Sequence, residues 1–315
     1  MKPFFLKLSD KRCPIKVDQL ERISEETALI VGNFDGVHLG HRYLVSTLKE
    51  RARERGLKTM VVTFCPHPLK VLAPRLFLCE LSTAEEKMEL LRGDIDYLCF
   101  IRFDREFSQM SAKDFLEEII HRRLGCRYLL VGYDWRFGYR REGEIELARE
   151  IGEKLGFEVE LATPFKKNGH IVSSTLVRRL LGEARLREAE EFLGRRYWIR
   201  RRVVKGDGRG SRIGFPTANL KDTENLCLKE GVYAVLVDDR LPAVANLGYR
   251  PTFDGKKKVL EVHIPGFSGD LKGKSIKVDF VEFLREERKF SGVEELKAQI
   301  EKDIQSALAV ASSLS

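Results

Sequence analysis

The sequence lacks long hydrophobic runs and closely paired cysteines. No apolar stretch approaches the roughly 20 residues that a membrane-spanning helix needs, so no membrane partner is expected. The amino terminus carries Lys2, Lys7 and Lys11 but no apolar core of a secretory signal. None of the six cysteines forms a C-x-x-C pair, which argues against a zinc knuckle or a disulfide framework. These absences favour a cytoplasmic protein in a reducing compartment.

The charge balance is basic without a concentrated basic segment. The net charge of +8 suits either nucleic acid or polyanionic small molecules such as nucleotides. The residues from Lys49 to Arg55 alternate in sign, which favours a solvated helix face over a nucleic-acid patch. No helix-turn-helix, zinc finger or RNA-binding aromatic motif is evident, so no specific nucleic-acid partner is expected. A nucleic-acid-binding regulator stays open as an alternative.

The first half of the chain alternates between strand and helix patterns. Short apolar runs separated by amphipathic helices predict a parallel sheet that is covered on both faces. Ligands of such sheets bind at the carboxyl ends of the strands. The predicted strands are 28–34, 58–64, 97–101, 128–132 and 157–161, and the predicted helices are 42–55, 83–92, 112–124 and 144–155.

The pattern changes after a predicted helical stretch over 174–193. Short β-rich runs follow, with glycine and proline turns between them, and they predict a small barrel or sandwich. A helix from Gly292 to about Leu308 closes the chain, and the boundary between two domains is placed at 183–186. The predicted strands are 199–204, 232–237, 243–247, 259–264 and 276–283.

The stretch from Gly32 to His41 joins the first predicted strand to the first predicted helix. Backbone N–H groups and the positive end of a helix dipole meet at such a junction and favour an anion. Gly40 permits close approach of a phosphate, and His38 and His41 add donors that can carry charge near neutral pH. A phosphate site is therefore predicted here, against the plainer alternative of a turn with two incidental histidines.

A second candidate phosphate site begins at Ser173. Ser173, Ser174 and Thr175 precede an apolar-periodic helix that carries Arg178. Serine and threonine are favoured helix caps, so simple capping explains the pattern equally well. A capped helix start can still bind an anion, and the pairing with the Gly32–His41 stretch favours that interpretation.

Two features of the second half suggest phosphate chemistry. The glycines and arginines of the stretch from Gly208 to Asn219 could surround phosphates, although a flexible loop running into an edge strand is the plainer interpretation. Thr217 and Asn219 supply hard oxygen ligands of the kind that Mg²⁺ accepts beside nucleotide phosphates. Glu261 lies in an alternating apolar strand, where it would simply face solvent with Val259 and His263.

Taken together, these motifs resemble a known family. The Gly32–His41 and Ser173–Arg178 stretches resemble the two signatures of the nucleotidylyltransferase superfamily. The whole chain, over about 25–305, resembles the bacterial bifunctional riboflavin kinase/FAD synthetase family. Further matching segments are Thr63–Pro68, Val131–Gly138 and Leu193–Arg195.

The resemblance implies an architecture and two reactions. Residues 1–184 would form a Rossmann-like α/β FMN adenylyltransferase domain with a parallel sheet. Residues 185–315 would form a small antiparallel β-barrel riboflavin kinase domain with a closing helix. Riboflavin would be phosphorylated by ATP to FMN, and FMN would receive AMP from ATP to give FAD and pyrophosphate. The resemblance also implies that copies of the chain can associate.

The resemblance further implies site roles, with Mg²⁺ as the cofactor. Glu261 matches the catalytic base of the kinase, while His38 and His41 would stabilise phosphate charge in adenylyl transfer. The metal ligands would be Thr217 and Asn219. The nucleotide-binding residues would be Gly32, Phe34, Gly40, Ser173, Ser174, Thr175, Arg178, Gly208, Gly210, Arg212, Thr217 and Asn219. The flavin-binding residues would be Pro66, His67, Arg136, Phe137 and Arg285.

Four positions depart from the family pattern. Cys65 stands where an acidic residue is common, and Trp135 stands where phenylalanine is common. Arg196 replaces a proline and Lys205 replaces a histidine. None of these changes removes a phosphate-handling residue. A nucleotidylyltransferase with a different phosphorylated acceptor is the alternative enzyme, and the Thr217–Asn219 motif argues against it.

Overall fold

The computed structural model describes residues 16–76, 79–206, 208–252 and 255–314. Within these ranges the chain packs as two compact units that divide after Ser173, and the short segment 79–81 belongs to the second unit. The predicted boundary after residue 184 lies eleven residues further along and stays a prediction. Among the described residues, no helix is long and apolar enough to cross a membrane.

The first unit contains the predicted parallel sheet, with strand order β3-β2-β1-β4-β5. Strands and helices alternate as the apolar periodicity predicts, because each buried strand is followed by a helix that covers one sheet face. Its elements are β1 (Thr27–Val31), α1 (Leu39–Arg55), β2 (Lys58–Cys65), α2 (Pro68–Leu72), α3 (Ala84–Leu91), β3 (Tyr97–Arg102), α4 (Ala112–Asp114), β4 (Cys126–Val131), α5 (Ile145–Leu155), β5 (Glu158–Leu161), β6 (Lys166–Lys167) and β7 (His170–Ile171).

The core of this unit lies on both faces of the sheet. Ala28 and Ile30 pack with the buried side of α1, while Leu29 and Val31 face the other layer. That layer includes a π-helix, Phe115–Arg123, which continues directly from α4. The predicted helix over 112–124 is therefore present, but its π-helical hydrogen bonding has no distinct signature in the apolar pattern.

The second unit is built around a closed barrel of strand order β10-β11-β12-β9-β8-β13. Every neighbouring pair in the barrel is antiparallel. The pairing of β13 with β10 closes the sheet on itself, which confirms a barrel rather than a sandwich. Its elements are α6 (Ser174–Gly182), α7 (Leu186–Leu193), β8 (Tyr197–Val204), α8 (Arg209–Arg212), β9 (Ala218–Leu220), β10 (Gly231–Val237), β11 (Leu241–Thr252), β12 (Gly255–His263), β13 (Ser275–Arg285) and α9 (Val293–Ser312).

Two sequence expectations for this unit need correction. The helical stretch predicted over 174–193 is two helices, because the chain turns at Ala184 with a left-handed φ of 58°. The strand expected at the end of the Gly208–Asn219 loop is not an edge strand. It is β9, which pairs with β12 on one side and with β8 on the other.

The closing helix α9 covers part of the outer face of the barrel. Val232, Ala234 and Val244 form a buried cluster with Ala307 of this helix. Leu260 and Val262 of β12 are also buried, whereas the residues that alternate with them are half-buried. The strands therefore have an inner apolar face and an outer face that α9 covers only in part.

One disulfide lies in the second unit. Cys79 and Cys227 are bonded across 148 residues of chain, with their Cα atoms 5.2 Å apart. The expectation that no disulfide framework is present is wrong at this pair. Because the two cysteines are so far apart in sequence, no short spacing motif could reveal their pairing.

Candidate active sites

In the first unit, three predicted site segments follow the carboxyl ends of three adjacent parallel strands. The Gly32–His41 turn follows β1, Pro66 and His67 follow β2, and Arg136 and Phe137 come after β4. Strand β1 lies between β2 and β4, so the sheet brings these segments to one edge. Ligands of open parallel sheets bind at this edge, where the strand order reverses.

The turn after β1 has an unusual backbone. Phe34 and Val37 adopt left-handed φ values of 47° and 39°, and Gly36 has a φ of 82°. Such conformations are costly for residues with a side chain and persist only when their surroundings hold them. Both Phe34 and Val37 are completely buried, so core packing holds this backbone in place.

A buried polar contact also fixes the turn. The backbone N–H of Ser82 donates to Asp35 Oδ1 at 3.0 Å, and the backbone N–H of Gly36 donates to Ser82 Oγ at 2.8 Å. Thr63 Oγ1 donates to the carbonyl oxygen of Asn33 at 3.0 Å. Sequence reasoning missed the roles of Asp35, Ser82 and Thr63, since no local pattern connects positions so far apart.

The two histidines are part of a stack of three rings. The ring centroids of His38 and His41 are 3.7 Å apart, and those of His41 and Phe34 are 4.7 Å apart. His38 caps α1, because its Nδ1 accepts the backbone N–H of His41 at 3.3 Å. In a neutral imidazole this acceptor role leaves the proton on Nε2, where it can be donated to an anion.

Gly40 lies in a position where any side chain would be crowded. An added Cβ would be 2.9 Å from the carbonyl oxygen of Val172 and 3.1 Å from the ring of His38. Val172 immediately precedes Ser173, so the chain leading to the second motif runs against the start of α1. This tight packing is a separate reason for glycine at this position, and the close approach of a phosphate at Gly40 stays a prediction.

The second motif begins a helix, as its hydroxyl residues predict. Ser173 directly precedes α6, and Ser174 and Thr175 are its first two residues. Val177 of this helix is fully buried, while Arg178 is half-buried one turn from the start. Ser173 closes the first compact unit and Ser174 opens the second.

The predicted flavin residues of the first unit lie in ordered surroundings. His67 is buried and caps α2, since its Nδ1 accepts the backbone N–H of Leu69 at 3.2 Å. The peptide bond between Cys65 and Pro66 is cis. Cys65 itself is half-buried at the end of β2. These residues form the part of the sheet edge next to the Gly32–His41 turn.

The segment after β4 contains a stacked aromatic pair. The rings of Trp135 and Phe137 are nearly parallel, with centroids 4.0 Å apart. Phe137 is buried in the core, whereas Trp135 is half-buried and packs against that core. Arg136, between them in sequence, is exposed and forms an ion pair with Glu144 at 3.2 Å. Trp135, where the family commonly has phenylalanine, therefore presents the more exposed of the two rings.

In the second unit, the barrel register aligns the predicted kinase residues. Glu261 of β12 lies directly opposite Asn219 of β9 and Asn246 of β11. The same row continues through Val232 of β10 to Arg285 of β13. Residues directly opposite in antiparallel strands share a face and have Cβ atoms about 4.5–5.5 Å apart. The row places Glu261 between two amide side chains.

The Gly208–Asn219 segment is more ordered than a flexible loop. Gly208 caps the short helix α8 with a left-handed φ of 69°, and the chain then turns tightly at Gly210. An added Cβ at Gly210 would lie 2.3 Å from the carbonyl oxygen of Phe215. His263 Nδ1 lies 2.8 Å from the carbonyl oxygen of Pro216, which fixes the entry to β9. The described part of this segment therefore contains a short helix and a tight turn rather than an irregular loop.

The proposed metal ligands are consistent with Mg²⁺. Asn219 lies in β9 and Thr217 immediately precedes that strand, and both carry neutral oxygen donors. Asn219 is only 7% exposed. A Cβ added at Gly206 would lie 2.2 Å from Asn219 Nδ2, so the bare backbone of Gly206 holds the carboxamide. Oxygen donors fixed in this way suit a hard cation.

Glu261 has a charged partner that sequence reasoning missed. Arg250 of β11 donates from its guanidinium to Glu261 Oε1. Both side chains are about three-quarters buried. As the alternation predicts, Glu261 shares the outer face with Val259 and His263, and all three are half-buried. The carboxylate is therefore held in place rather than freely solvated.

Arg285 is anchored on the closing helix. Its Nη2 and Nε both donate to Asp303 Oδ2, at 2.7 and 3.2 Å, and Asp303 is almost completely buried. Gln299 Nε2 also donates to Asp303 Oδ1 at 2.8 Å. The guanidinium predicted to lie near the flavin thus has a structural role in attaching α9 to β13.

Burial displaces the pKa of two barrel side chains. It raises the pKa of Tyr233, which lies in the core and donates its hydroxyl to the carbonyl oxygen of Lys229. It also raises the pKa of Asp279, although the neighbouring Lys277 ammonium at 3.1 Å acts in the opposite direction. Each group has a polar partner within the second unit.

Two family models match the chain in tandem. A model described as FAD synthetase matches residues 20–176, and one described as riboflavin kinase matches residues 193–311. The first model covers the sheet-edge motifs and ends at Leu176, two residues before Arg178. The second covers the whole barrel and most of α9. The order of the two models agrees with the order of the two units.

Curated relatives match over nearly the whole chain. The bifunctional riboflavin kinase/FMN adenylyltransferase of Escherichia coli K12 is 40% identical over 284 residues, covering 89% of this chain and 91% of the relative. The protein of the same name from Haemophilus influenzae is 35% identical over 293 residues, covering 91% and 95%.

A solved structure shares the complete fold. It is described as a macrolide-efflux protein from Streptococcus pneumoniae, with a TM-score of 0.79 and 28% sequence identity. The match covers 93% of this chain and 98% of that one. Its description concerns transport, whereas both family models and the curated relatives concern flavin chemistry.

Proposed function

The chain belongs to the bifunctional riboflavin kinase/FMN adenylyltransferase family, and from that premise we propose how its two halves perform the two reactions. As a member of this family it is an enzyme of flavin cofactor biosynthesis. It phosphorylates riboflavin with ATP to give FMN and then transfers AMP from ATP to FMN, which yields FAD and pyrophosphate. We assign adenylyl transfer to residues 1–184 and the kinase reaction to residues 185–315.

In the kinase reaction, Glu261 acts as the general base. Its carboxylate accepts the proton of the ribityl 5′-hydroxyl as that oxygen forms a bond to the γ-phosphorus of ATP. The bond from the γ-phosphorus to the β,γ-bridging oxygen breaks, and ADP leaves with the electron pair. The observation that supports this role is the register that places Glu261 beside Asn219, with Arg250 holding the carboxylate. Such transfers depend mainly on positioning and charge stabilisation.

Thr217 and Asn219 are the residues that would hold Mg²⁺. When bound, Mg²⁺ neutralises charge on the nucleotide phosphates. Gly206 contributes by allowing its backbone to pack on the Asn219 carboxamide, which keeps the side-chain oxygen in one orientation. Gly208, Gly210 and Arg212 complete the proposed binding site for ATP, with α8 giving their segment a fixed shape.

In adenylyl transfer, the FMN phosphate is already an anionic nucleophile. One of its oxygens bonds to the α-phosphorus of ATP, and the bond from that phosphorus to the departing pyrophosphate breaks. No strong base is needed. His38 and His41 therefore stabilise charge on the α-phosphate and on pyrophosphate. The support for this role is the ring stack with Phe34 and the capping bond that leaves a proton on Nε2 of His38.

The remaining predicted residues surround these centres in our proposal. Gly32 and Gly40 allow the phosphates to approach the backbone, and the hydroxyls of Ser173, Ser174 and Thr175, with Arg178, hold the rest of the triphosphate. FMN binds beside Pro66, His67, Arg136 and Phe137 at the same sheet edge. In the kinase half, Arg285 supports the flavin side of the site while bonded to Asp303.

The experiment for the proposed function is product analysis. Purified protein is incubated with riboflavin, ATP and Mg²⁺, and the flavins are resolved by chromatography. FMN and FAD should both form, and folded protein that makes neither would contradict the proposal. The His41→Ala variant should convert riboflavin to FMN but make no FAD. The Glu261→Ala variant should fail to make FMN but still convert supplied FMN to FAD. A defect of both variants in the same step would overturn the division between the halves.

The cellular setting is also a proposal. We expect the protein to act in the cytoplasm without a membrane or a specific nucleic-acid partner, and to be capable of self-association. A gel-shift experiment at physiological salt tests the nucleic-acid alternative that the net charge of +8 raises. Tight, sequence-selective binding would favour a regulatory role, and weak, salt-sensitive binding would agree with the enzyme alone.

A further inference from the structure

Asn246 lies beside Glu261 on the side away from the metal ligands, and no step described above uses it. Its side chain shares the outer face of the barrel with Glu261 because the two residues are directly opposite in β11 and β12. On the other side of Glu261, in the same row, is Asn219. Glu261 thus lies between Asn219, which is assigned to the nucleotide and its metal, and Asn246, which has no assigned role.

The chemistry of the kinase step determines which substrate reaches Asn246. The attacking and leaving oxygens lie roughly in line through the transferred phosphorus. The triphosphate lies on the Asn219 side if Thr217 and Asn219 hold its metal. The alcohol must then approach Glu261 from the opposite side, which is the side of Asn246.

A carboxylate lies next to Asn246. Glu287 follows β13, and its Oε1 accepts from Asn246 Nδ2 at 3.4 Å. Gly248, two residues along β11 and therefore on the same face, lies beneath this carboxylate. A Cβ added at Gly248 would be 1.9 Å from Glu287 Oε1. The absence of a side chain at Gly248 allows Glu287 to lie over this strand.

Resting on the proposed kinase function, we propose that Asn246 and Glu287 bind the ribityl chain and position its terminal hydroxyl at Glu261. A polyol chain needs partners that both donate and accept hydrogen bonds, and a carboxamide does both. The Glu287 carboxylate accepts from hydroxyl groups. The pair therefore distinguishes a polyhydroxylated flavin from a flavin with an apolar substituent. Both are positioning residues, since the proton passes to Glu261.

The test compares the substrate constants of single variants. Asn246→Ala should raise the KM for riboflavin and lower kcat, with a combined loss in kcat/KM of about tenfold or more, the scale of a lost hydrogen bond to a substrate hydroxyl. The KM for ATP should stay within twofold. Glu287→Ala should have the same signature. Gly248→Ala should reproduce it with both polar side chains retained, because the added methyl group displaces the Glu287 carboxylate.

A second readout separates binding of the ribityl chain from a general structural effect. Lumiflavin carries a methyl group in place of the ribityl chain, so its inhibition constant against riboflavin should be unchanged by Asn246→Ala. Asn246→Ser, which keeps a donor and an acceptor, should recover part of the lost kcat/KM. If lumiflavin does not compete with riboflavin, the KM values decide between the two explanations. A raised KM for riboflavin with an unchanged KM for ATP supports binding of the ribityl chain, and an equal rise in both KM values refutes it.

The controls distinguish failure of this inference from failure of the proposed function. Asn225→Ala removes a carboxamide from an exposed turn of the same unit and should leave the KM for riboflavin and the KM for ATP unchanged. Residual FMN formation with an unchanged KM for ATP reports that the barrel of each variant is folded, because this reaction is assigned to the barrel itself. A wild-type protein that makes no FMN would refute the kinase function. A wild-type protein that makes FMN, together with an Asn246→Ala variant of unchanged riboflavin constants, would refute the role of Asn246 alone.

Discussion

Gly40→Ala tests whether close packing at the start of α1 supports adenylyl transfer. The new methyl carbon would lie 2.9 Å from the carbonyl oxygen of Val172 and 3.1 Å from Nδ1 of His38. Neither neighbour is the end of a long, flexible side chain. The ring of His38 is held by its stack with His41 and by its capping bond, and the carbonyl belongs to the backbone that leads to Ser173.

The size of the effect follows from these distances. Ordinary van der Waals contact begins near 3.4 Å, so the carbonyl or the helix start must move by about 0.5 Å. Overpacking of this kind costs about 1–3 kcal/mol of stability. A misplacement of about 1 Å in a catalytic arrangement can cost about 100-fold in rate. We therefore expect kcat/KM for FAD formation from FMN to fall by about 10- to 100-fold.

The assay measures each half-reaction separately in one preparation. FAD formation is followed from supplied FMN, and FMN formation is followed from riboflavin. Gly40→Ala should lower the first rate and leave the second within twofold. Gly292→Ala adds the same methyl group where nothing lies within 4 Å and should change neither rate. Adenylyl transfer that is unchanged in Gly40→Ala, or an equal loss in both reactions, would refute the reasoning.

Further predictions concern the other half, the metal and the pH dependence of stability. Gly206→Ala should reverse the pattern of Gly40→Ala, with riboflavin kinase activity lost and adenylyl transfer kept, because its Cβ would displace the Asn219 carboxamide; equal loss of both activities would contradict this. Glu261→Gln should lower kinase kcat by about 100-fold or more, the scale of general base catalysis, while the KM for ATP changes little. Removal of Mg²⁺ with a chelator should stop FMN formation, and added Mg²⁺ should restore it; unchanged activity would refute the roles of Thr217 and Asn219. Burial and a hydrogen bond donated to Glu25 raise the pKa of Tyr97 to about 12, so the free energy of unfolding should fall as pH rises from about 10 to about 12. Tyr97→Phe should reduce that fall, as measured by urea unfolding at pH 9 and pH 11.

Much of the fold follows from apolar patterning in the sequence. Strands β1 to β4 coincide with short apolar runs, because a strand buried on both faces has few polar positions. The edge strand β5 instead alternates glutamates with apolar residues and has no fully buried position. The barrel strands likewise show alternating or apolar runs between turn residues. The closure of the barrel is harder to predict from the sequence. Strand β9, which contributes to it, is only three residues long, and its pairing with both β8 and β12 depends on segments distant in the chain.

Candidate site residues could be proposed from the sequence only where they are close in the chain. The Gly32–His41 turn and the Thr217–Asn219 pair carry local signals of chain reversal, close approach and oxygen donors. Contacts between distant segments carry no such signal. Ser82 reaches Asp35 over 47 residues. Arg250 lies opposite Lys257 in the pairing of β11 and β12, and only its long side chain reaches Glu261. The same register brings Asn246 to Glu261, and nothing in the sequence near Asn246 indicates it.

The central claim is that two separate sites of one chain act in succession, with free FMN between them. Mixing two singly defective variants tests it most directly. His41→Ala should accumulate FMN from riboflavin, and Glu261→Gln should form FAD only from supplied FMN. When the two proteins share one solution with riboflavin, ATP and Mg²⁺, FAD should appear. The account would be contradicted if His41→Ala released FMN in the mixture but no FAD formed. It would also be contradicted if either variant alone made FAD from riboflavin at the wild-type rate.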